Sequence, residues 1–465
     1  MRNFATFLLV FSLLTGCAAL GPSHQPLDSN IPVPGHFVET GDDTPAEPGR
    51  FWEHFQDRHL NDLVAQALNG NLSIKQALAR RAQFDALERI SQASRLPMVN
   101  LAGQLGRDQS FTSMGSGTAG NSLRLSAVAA YEVDLWGKLA HQRDGATFGA
   151  QASVAELKAA YISVAAQTSE LYFLIREQQA QLLLNERIVA SLDDTLERME
   201  NRYAAGLVPT LDVYQARQNI LAAKSQRPGY EAARAKGEHA LAVLLGRAPE
   251  QPVVDGEGTL PMLGAAIPAG LPSGLLQRRP DLEAALLRIK AVDANLAAAV
   301  ADRFPSLNLA GVLGFASLDY ATSLSGTFWS LLVEAVQPVF DNGRRQAEIE
   351  RQEAVLDEAL AGYHQVVLQA IREVEDALVS CRTGGRLLAL LDERQQATAD
   401  TLRLAEDQYF SGLTDYLSVL TAQKNYFDVQ SQLLTARRRL ISDQIGLMRA
   451  LGGDLTTNDK PEEKS

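Results

Sequence analysis

Residues Arg95 to Gly106 recur as Arg303 to Gly314, with eight of twelve positions identical at an offset of 208. A second landmark, Tyr203 through Leu207, recurs as Tyr409 through Leu413 at an offset of 206. The correspondence runs on through Leu211/Leu417, Val213/Val419, Ala216/Ala422 and Asn219/Asn425, and Leu245-Gly246 and Leu451-Gly452 close both halves. Landmarks that keep their order and spacing mean one unit used twice, so whatever the first half folds into, the second must fold into as well. The repeats divide the chain into 51–260 and 261–453.

Each repeat reads helix, strand, strand, very long helix, tight turn, helix. Lys138 to Tyr203 runs 66 residues without proline, and Asn342 to Tyr409 runs 68. At 1.5 Å per residue each is a rod of about 100 Å. Shorter helices are expected over Leu60–Arg95, Leu211–Leu245, Arg278–Asp302 and Asp415–Leu451. Stacked in pairs they approach the length of the long helices, which predicts a wall of rods of uniform length. Aromatic residues are only 6% of the sequence, a balance that suits narrow seams between long helices better than compact cores. Pro228-Gly229 and Gly384-Gly385 fall inside these helices and predict a kink or bulge in each.

Strands are expected at about 99–108, 122–135, 306–316 and 327–340. In the second of these, Leu123, Leu125, Ala127, Ala129, Tyr131, Val133 and Leu135 alternate with Ser122, Arg124, Ser126, Glu132 and Asp134. Leu307, Leu309, Leu313 and Phe315 repeat the pattern opposite Ser306 and Asn308. About ten residues alternating apolar and polar is the pattern of an outer-membrane barrel strand, and Phe111, Tyr131, Trp136, Phe315, Phe328, Trp329 and Phe340 suit its interfacial girdles. A half-buried soluble sheet alternates in the same way. Four spanning strands leave two open edges, which lipid does not tolerate. Three copies pooling their strands close a twelve-stranded barrel wide enough for an aqueous lumen.

The N-terminus points to export. Arg2 precedes the apolar run Phe4 to Leu14, which has secretory length and falls short of the roughly 20 residues a spanning helix needs. It ends in Leu14-Thr15-Gly16-Cys17, which resembles a bacterial lipobox, so residues 1–16 read as a signal peptide and Cys17 as the lipidated residue. An ordinary signal peptide with an incidental cysteine is the competing reading. With Cys17 acylated, Cys381 has no partner and reads as a small buried hydrophobe within a helix. Residues 17–50 hold six of the eighteen prolines and should be extended rather than helical. Residues 454–465 are polar and read as a disordered tail.

Chemistry is hard to find. A net charge of −12 argues against nucleic acid, whose phosphates need a basic face. Gly115 to Gly120 spells G-x-G-x-x-G, but a strand rather than a helix follows it, so it reads as a hairpin loop and not a dinucleotide site. The seven histidines show no metal-ligand spacing, with His54 and His59 a surface pair at best. No nucleophile elbow or Cys/His cluster is present. The chain therefore reads as no enzyme, with no cofactor and no metal. An extracytoplasmic enzyme built on the Gly-rich run, or a lipid-tethered periplasmic coiled-coil scaffold without a pore, are the alternatives. The scaffold leaves four amphipathic strands without a purpose.

This layout, Tyr131 to Lys138 (Tyr-Glu-Val-Asp-Leu-Trp-Gly-Lys), Arg278-Arg279-Pro280-Asp281 and the paired Gly-Leu turns together resemble the TolC-like outer-membrane efflux ducts. The lipobox and the Asp-Leu-Trp-Gly segment are most similar to the NodT-type lipoprotein branch. The resemblance spans roughly 51–453. It implies a homotrimer, lipid-anchored in the cell outer membrane, whose β-barrel sits in outer membrane lipid and whose long α-helical barrel extends into the periplasm. It further implies a periplasmic adaptor and an inner-membrane pump as partners, the latter choosing the cargo. The periplasmic tip would be the turns Gly206, Leu207, Pro209 and Gly412, Leu413, where the adaptor makes contact. Leu417 matches a constricting leucine, Tyr409 a tip tyrosine and Asp212 a tip aspartate, which help hold the constriction shut. Thr421 stands where the lipoprotein members often carry a carboxylate. Asp415 is the nearest acid, and it reads equally as a helix cap.

Overall fold

The computed structural model describes residues 34–38, 50–112, 115–254, 256, 260–261, 270, 272–317 and 326–453. The signal peptide, Cys17, most of the connector and the 454–465 tail lie outside the described residues. After a short 3-10 helix at Phe51–Phe55 come α1 (Arg58–Gly70), α2 (Leu72–Ala93), β1 (Met98–Thr112) and β2 (Gly115–Val133). The long helix α3 (Lys138–Ala204) and its return helix α4 (Thr210–Leu244) follow. The second repeat runs through α5 (Pro272–Arg278), α6 (Pro280–Ala301), β3 (Ser306–Ser317), β4 (Gly326–Val336), α7 (Arg344–Phe410) and α8 (Tyr416–Ala450). The duplication is visible in the lengths: α3 and α7 each have 67 residues, and α4 and α8 each have 35.

By their contacts the residues form two compact units that interleave along the chain. One contains the described residues of 79–155 and 284–365; the other contains those of 34–78, 156–283 and 366–453.

The first unit carries the sheet, antiparallel throughout, in the order β1-β2-β3-β4. Its register sets Leu101 beside Ala127, Ala127 beside Leu313, and Leu313 beside Trp329. The apolar residues expected in β2 and β3 thus share one face, except Leu135, which lies beyond the end of β2 at Val133. Leu101, Leu105, Leu313, Trp329, Leu331 and Val333 on that face are exposed, which an isolated water-soluble sheet would not tolerate. On the other face Ser126 is buried and the Arg124 guanidinium lies 5.4 Å from the Phe328 ring centre.

The Asp-Leu-Trp-Gly-Lys run turns the sheet into α3. The Asp134 carboxylate accepts from the N–H groups of Leu139 (3.0 Å) and Ala140 (2.8 Å), satisfying donors that the start of a helix leaves free. Trp136 donates its indole N–H to Pro305 O at 2.8 Å and stacks on Phe304. Gly137 takes φ +77°, and Lys138 pairs with Glu132 at 2.5 Å.

In the second unit Phe51, Trp52 and Phe55 pack with Leu60, Tyr172, Phe173 and Ile441. Asp57 caps α1 through His59 N–H and Leu60 N–H, and its other oxygen accepts the Tyr172 hydroxyl at 2.5 Å. Phe37, from the Pro-rich connector, is buried here, and Val38 N–H donates to Glu375 Oε1 at 2.7 Å.

Several expectations need correction. Gly115 to Gly120 is not a loop: these residues begin β2 and pair with β1, Gly115 opposite Thr112 and Gly120 opposite Asp108. β4 ends at Val336, so Phe340 lies beyond it. Leu60–Arg95 is two helices, parted at Asn71, whose side chain caps the second through Ser73 N–H and Ile74 N–H. The helix expected at Arg278–Asp302 is α6, Pro280–Ala301, and the separate short helix α5 precedes it. α4 continues through Pro228 and α7 through Gly384-Gly385, so neither position ends its helix. Gly384 is there for proximity, since a β-carbon would come within 3.1 Å of Leu440 Cδ1. No helix among the described residues is long and apolar enough to cross a membrane.

Candidate functional site

Both long helices end in the same device. At the end of α3, Gly206 N–H donates to Tyr203 O and Leu207 N–H to Arg202 O; at the end of α7, Gly412 N–H donates to Tyr409 O and Leu413 N–H to Gln408 O. This pair of bonds satisfies terminal carbonyls and needs a left-handed residue. Gly206 and Gly412 supply it, with φ +71° and +75°. Leu207 and Leu413 are left 66% and 78% exposed, and Pro209, also exposed, is the N-cap of α4.

Behind the turns lies a buried cluster of Met199, Ala216, Tyr409, Tyr416 and Val419. Tyr409 on α7 donates its hydroxyl to Asp212 Oδ2 on α4 at 2.9 Å, with both residues under 9% exposed. A hydrogen bond to a buried carboxylate is worth about 1.5–3 kcal/mol. Burial, then the Asp212 hydrogen bond, raises the Tyr409 phenol well above its usual value.

The structure places the remaining tip residues as follows. Leu417 is 59% exposed on the first turn of α8. Asp415 is the N-cap of α8, accepting from Ser418 N–H at 3.2 Å. The Thr421 hydroxyl donates to Leu417 O at 2.8 Å, so it is turned onto its own helix backbone.

Sequence reasoning passed over three residues. The Arg202 guanidinium lies over the rings of Tyr409 (5.7 Å) and Phe410 (5.4 Å), a cation–π arrangement that holds the end of α3 against the end of α7. Met199 Sδ lies 3.4 Å from the Tyr409 hydroxyl. Tyr416 is 2% exposed, its ring centre 5.3 Å from that of Tyr409. Met199 and Arg202 share a helix face by their i, i+3 spacing, the one signal that could have grouped them. No His, Cys, Asp or Glu group among the described residues could hold a metal ion. Burial, then the charge of Asp443, pushes the Cys381 thiol up to about 11, an unreactive setting.

The sequence model that matches this chain is that of the outer membrane efflux protein, over residues 63–247 and 271–453. The chain belongs to the outer membrane efflux protein family. This efflux protein is 30% identical over 469 residues to the solvent efflux pump outer membrane protein SrpC of Pseudomonas putida, covering 97% of this chain and 98% of the relative. Among solved structures it resembles the outer-membrane channel OprN (TM-score 0.85, 28% identity, 93% of this chain and 98% of that one). It also resembles the open state of the Neisseria gonorrhoeae MtrE outer membrane channel (TM-score 0.82, 25% identity, 93% and 98%). The efflux protein is thus an outer-membrane channel built from long helices and a small antiparallel sheet.

Proposed function

We propose that this efflux protein works as a passive trimeric duct, sealed at its periplasmic tip by Leu417 and opened when a periplasmic adaptor engages the Gly206 and Gly412 turns. Three copies join β1 of one to β4 of the next, which satisfies both sheet edges and leaves the exposed apolar face to lipid. An inner-membrane pump supplies the energy and selects the cargo; the duct performs no chemistry of its own. Cys17 carries the acyl chains that tether the chain to the outer membrane.

The observation that carries this reading is the buried Tyr409–Asp212 bond at 2.9 Å. It ties the second long helix to the first return helix within one protomer, beside two turns whose leucines are left exposed. A latch of this kind holds helices in one arrangement, and a ligand that prefers the other arrangement releases it. MtrE, a structural neighbour, was solved in an open state, so a related fold has one available.

Photo-crosslinkers placed at Leu207 and Leu413 in living cells should capture one periplasmic protein of adaptor type, while equivalent probes at the exposed Leu390, far from either turn in sequence, should not. Efficient export with no capture from either turn would overturn the docking assignment.

A further inference from the structure

Tyr416 is an anomaly in the tip cluster. Only 2% of the residue is exposed, yet its hydroxyl has no hydrogen-bond partner among the described residues. A buried hydroxyl without a partner forfeits hydration and gains nothing, so phenylalanine would serve better if the ring only packed. Burial, then the negative charges of Asp212 and Glu406, pushes the phenol up to about 12, so it remains a donor. Glu406 is already engaged by the Gln423 amide at 3.5 Å, while Asp212 is held by Tyr409. The two tyrosine rings are neighbours, 5.3 Å apart at their centres and tilted by 47°.

We propose that Tyr416 is the alternative partner of Asp212: when the tip opens, Asp212 exchanges the Tyr409 hydroxyl for that of Tyr416. Tyr409 sits on the last turn of α7 and Tyr416 on the first turn of α8, so the exchange moves the acceptor from one side of the Gly412 turn to the other. Leu417 follows Tyr416 directly and is exposed where Tyr416 is buried. A rotation of α8 that carries Tyr416 onto Asp212 therefore swings Leu417 out of the constriction. The carboxylate keeps a donor in both states, which keeps the open state close in free energy to the closed one and makes Tyr416 a positioning residue for opening.

This inference rests on the reading of Leu417 as the seal, and the test separates the two. Single-channel recordings in planar bilayers would compare full-length wild type with Leu417→Ala, Tyr409→Phe, Tyr416→Phe and Tyr409→Phe/Tyr416→Phe. Leu417→Ala should leak, which tests the seal alone. Tyr409→Phe should raise the open fraction about tenfold, the factor carried by one hydrogen bond to a carboxylate. Adding Tyr416→Phe should take back at least half of that rise, because the open state loses its bond too. Tyr416→Phe alone should lower the basal open fraction, leave the thermal midpoint of the closed trimer unchanged or slightly improved, and reduce adaptor-dependent export. If Leu417→Ala leaks but the double variant conducts as much as Tyr409→Phe, the exchange is wrong and the seal stands. If Tyr416→Phe itself leaks or lowers the midpoint, its hydroxyl holds the closed state, and the exchange is again overturned. If neither Leu417→Ala nor Tyr409→Phe leaks, both readings fall.

Discussion

Arg279 shows what a single residue does that no spacing pattern announces. In the sequence it belongs to a recognisable Arg-Arg-Pro-Asp run; in the structure it is a buried junction. Its guanidinium donates to Asp281 Oδ1 and Oδ2 (3.1 and 2.7 Å), to Glu373 Oε2 (2.9 Å) and to Ala450 O (3.0 Å). One side chain therefore joins the α5–α6 boundary to α7 and to the last turn of α8. Replacing it by Met should cost about 3 kcal/mol, the low end for a broken buried pair because both carboxylates keep some solvent. Thermal melts of the detergent-solubilised protein would read the loss. Burial alone would raise the Asp281 carboxyl, but the Arg279 hydrogen bond and charge outweigh it and hold it below the ordinary value of 3.8. A carboxyl depressed on folding contributes stability that is present above 3.8 and is lost as pH falls through the lower folded value. The wild-type melting midpoint should therefore fall more steeply than that of Arg279→Met as pH drops below that point. An equal acid dependence in both proteins would remove Arg279 as the cause. Tyr409 and Asp212 could be singled out through a family resemblance, since they occupy tip positions. Arg202 and Tyr416 could not, because their roles depend on which faces of α3, α7 and α8 meet, and that is set by packing rather than by local pattern.

At the scale of elements, the long helices were legible to within two residues. Proline-free runs of this length have few competing folds, and a repeated turn marks each end. The strand faces were legible too, because a period of two fixes which side chains share a face once the register is set. Short and special segments were not. Gly, Ser and Thr residues give Gly115 to Gly120 no strand preference of its own, and it is the pairing with β1 that extends the hairpin. Pro228 does not end α4; an exposed helix face lets the ring project outward, at the expense of one backbone bond. The turns make an element-scale prediction. A β-carbon at Gly206 or Gly412 would meet nothing within 4 Å, so only the left-handed φ opposes substitution. Gly412→Ala should lower the stability of the α7–α8 hairpin by about 1 kcal/mol, measurable as faster backbone hydrogen exchange across the turn. Gly384→Leu meets Leu440 instead, and overpacking of that kind should cost about 1–3 kcal/mol. A larger loss at Gly412 than at Gly384 would mean that the tip, not the helix seam, is the tightly packed region.

At the scale of the whole molecule, the account depends on two edge strands, β1 and β4, whose open edges find partners only in other copies. The exposed apolar face and the two open edges of the sheet make an isolated chain a poor end state in water or in lipid. On the proposed reading, lipidation at Cys17 would serve placement rather than folding: a Cys17→Ser variant carried by an ordinary signal peptide should still yield trimers in the outer membrane, by native gel and membrane fractionation. A soluble monomer would instead favour the scaffold reading of the helices. The central claim, a trimeric duct shut by an apolar ring, is tested most directly by single-channel conductance of the purified trimer with Leu417 intact and with Leu417→Ala. The account predicts rare, low-conductance openings for the wild type and frequent, larger ones for the variant, with trimer and melting midpoint preserved. Equal, high conductance from both would show that Leu417 closes nothing, and no conductance from either would show that the chain forms no duct.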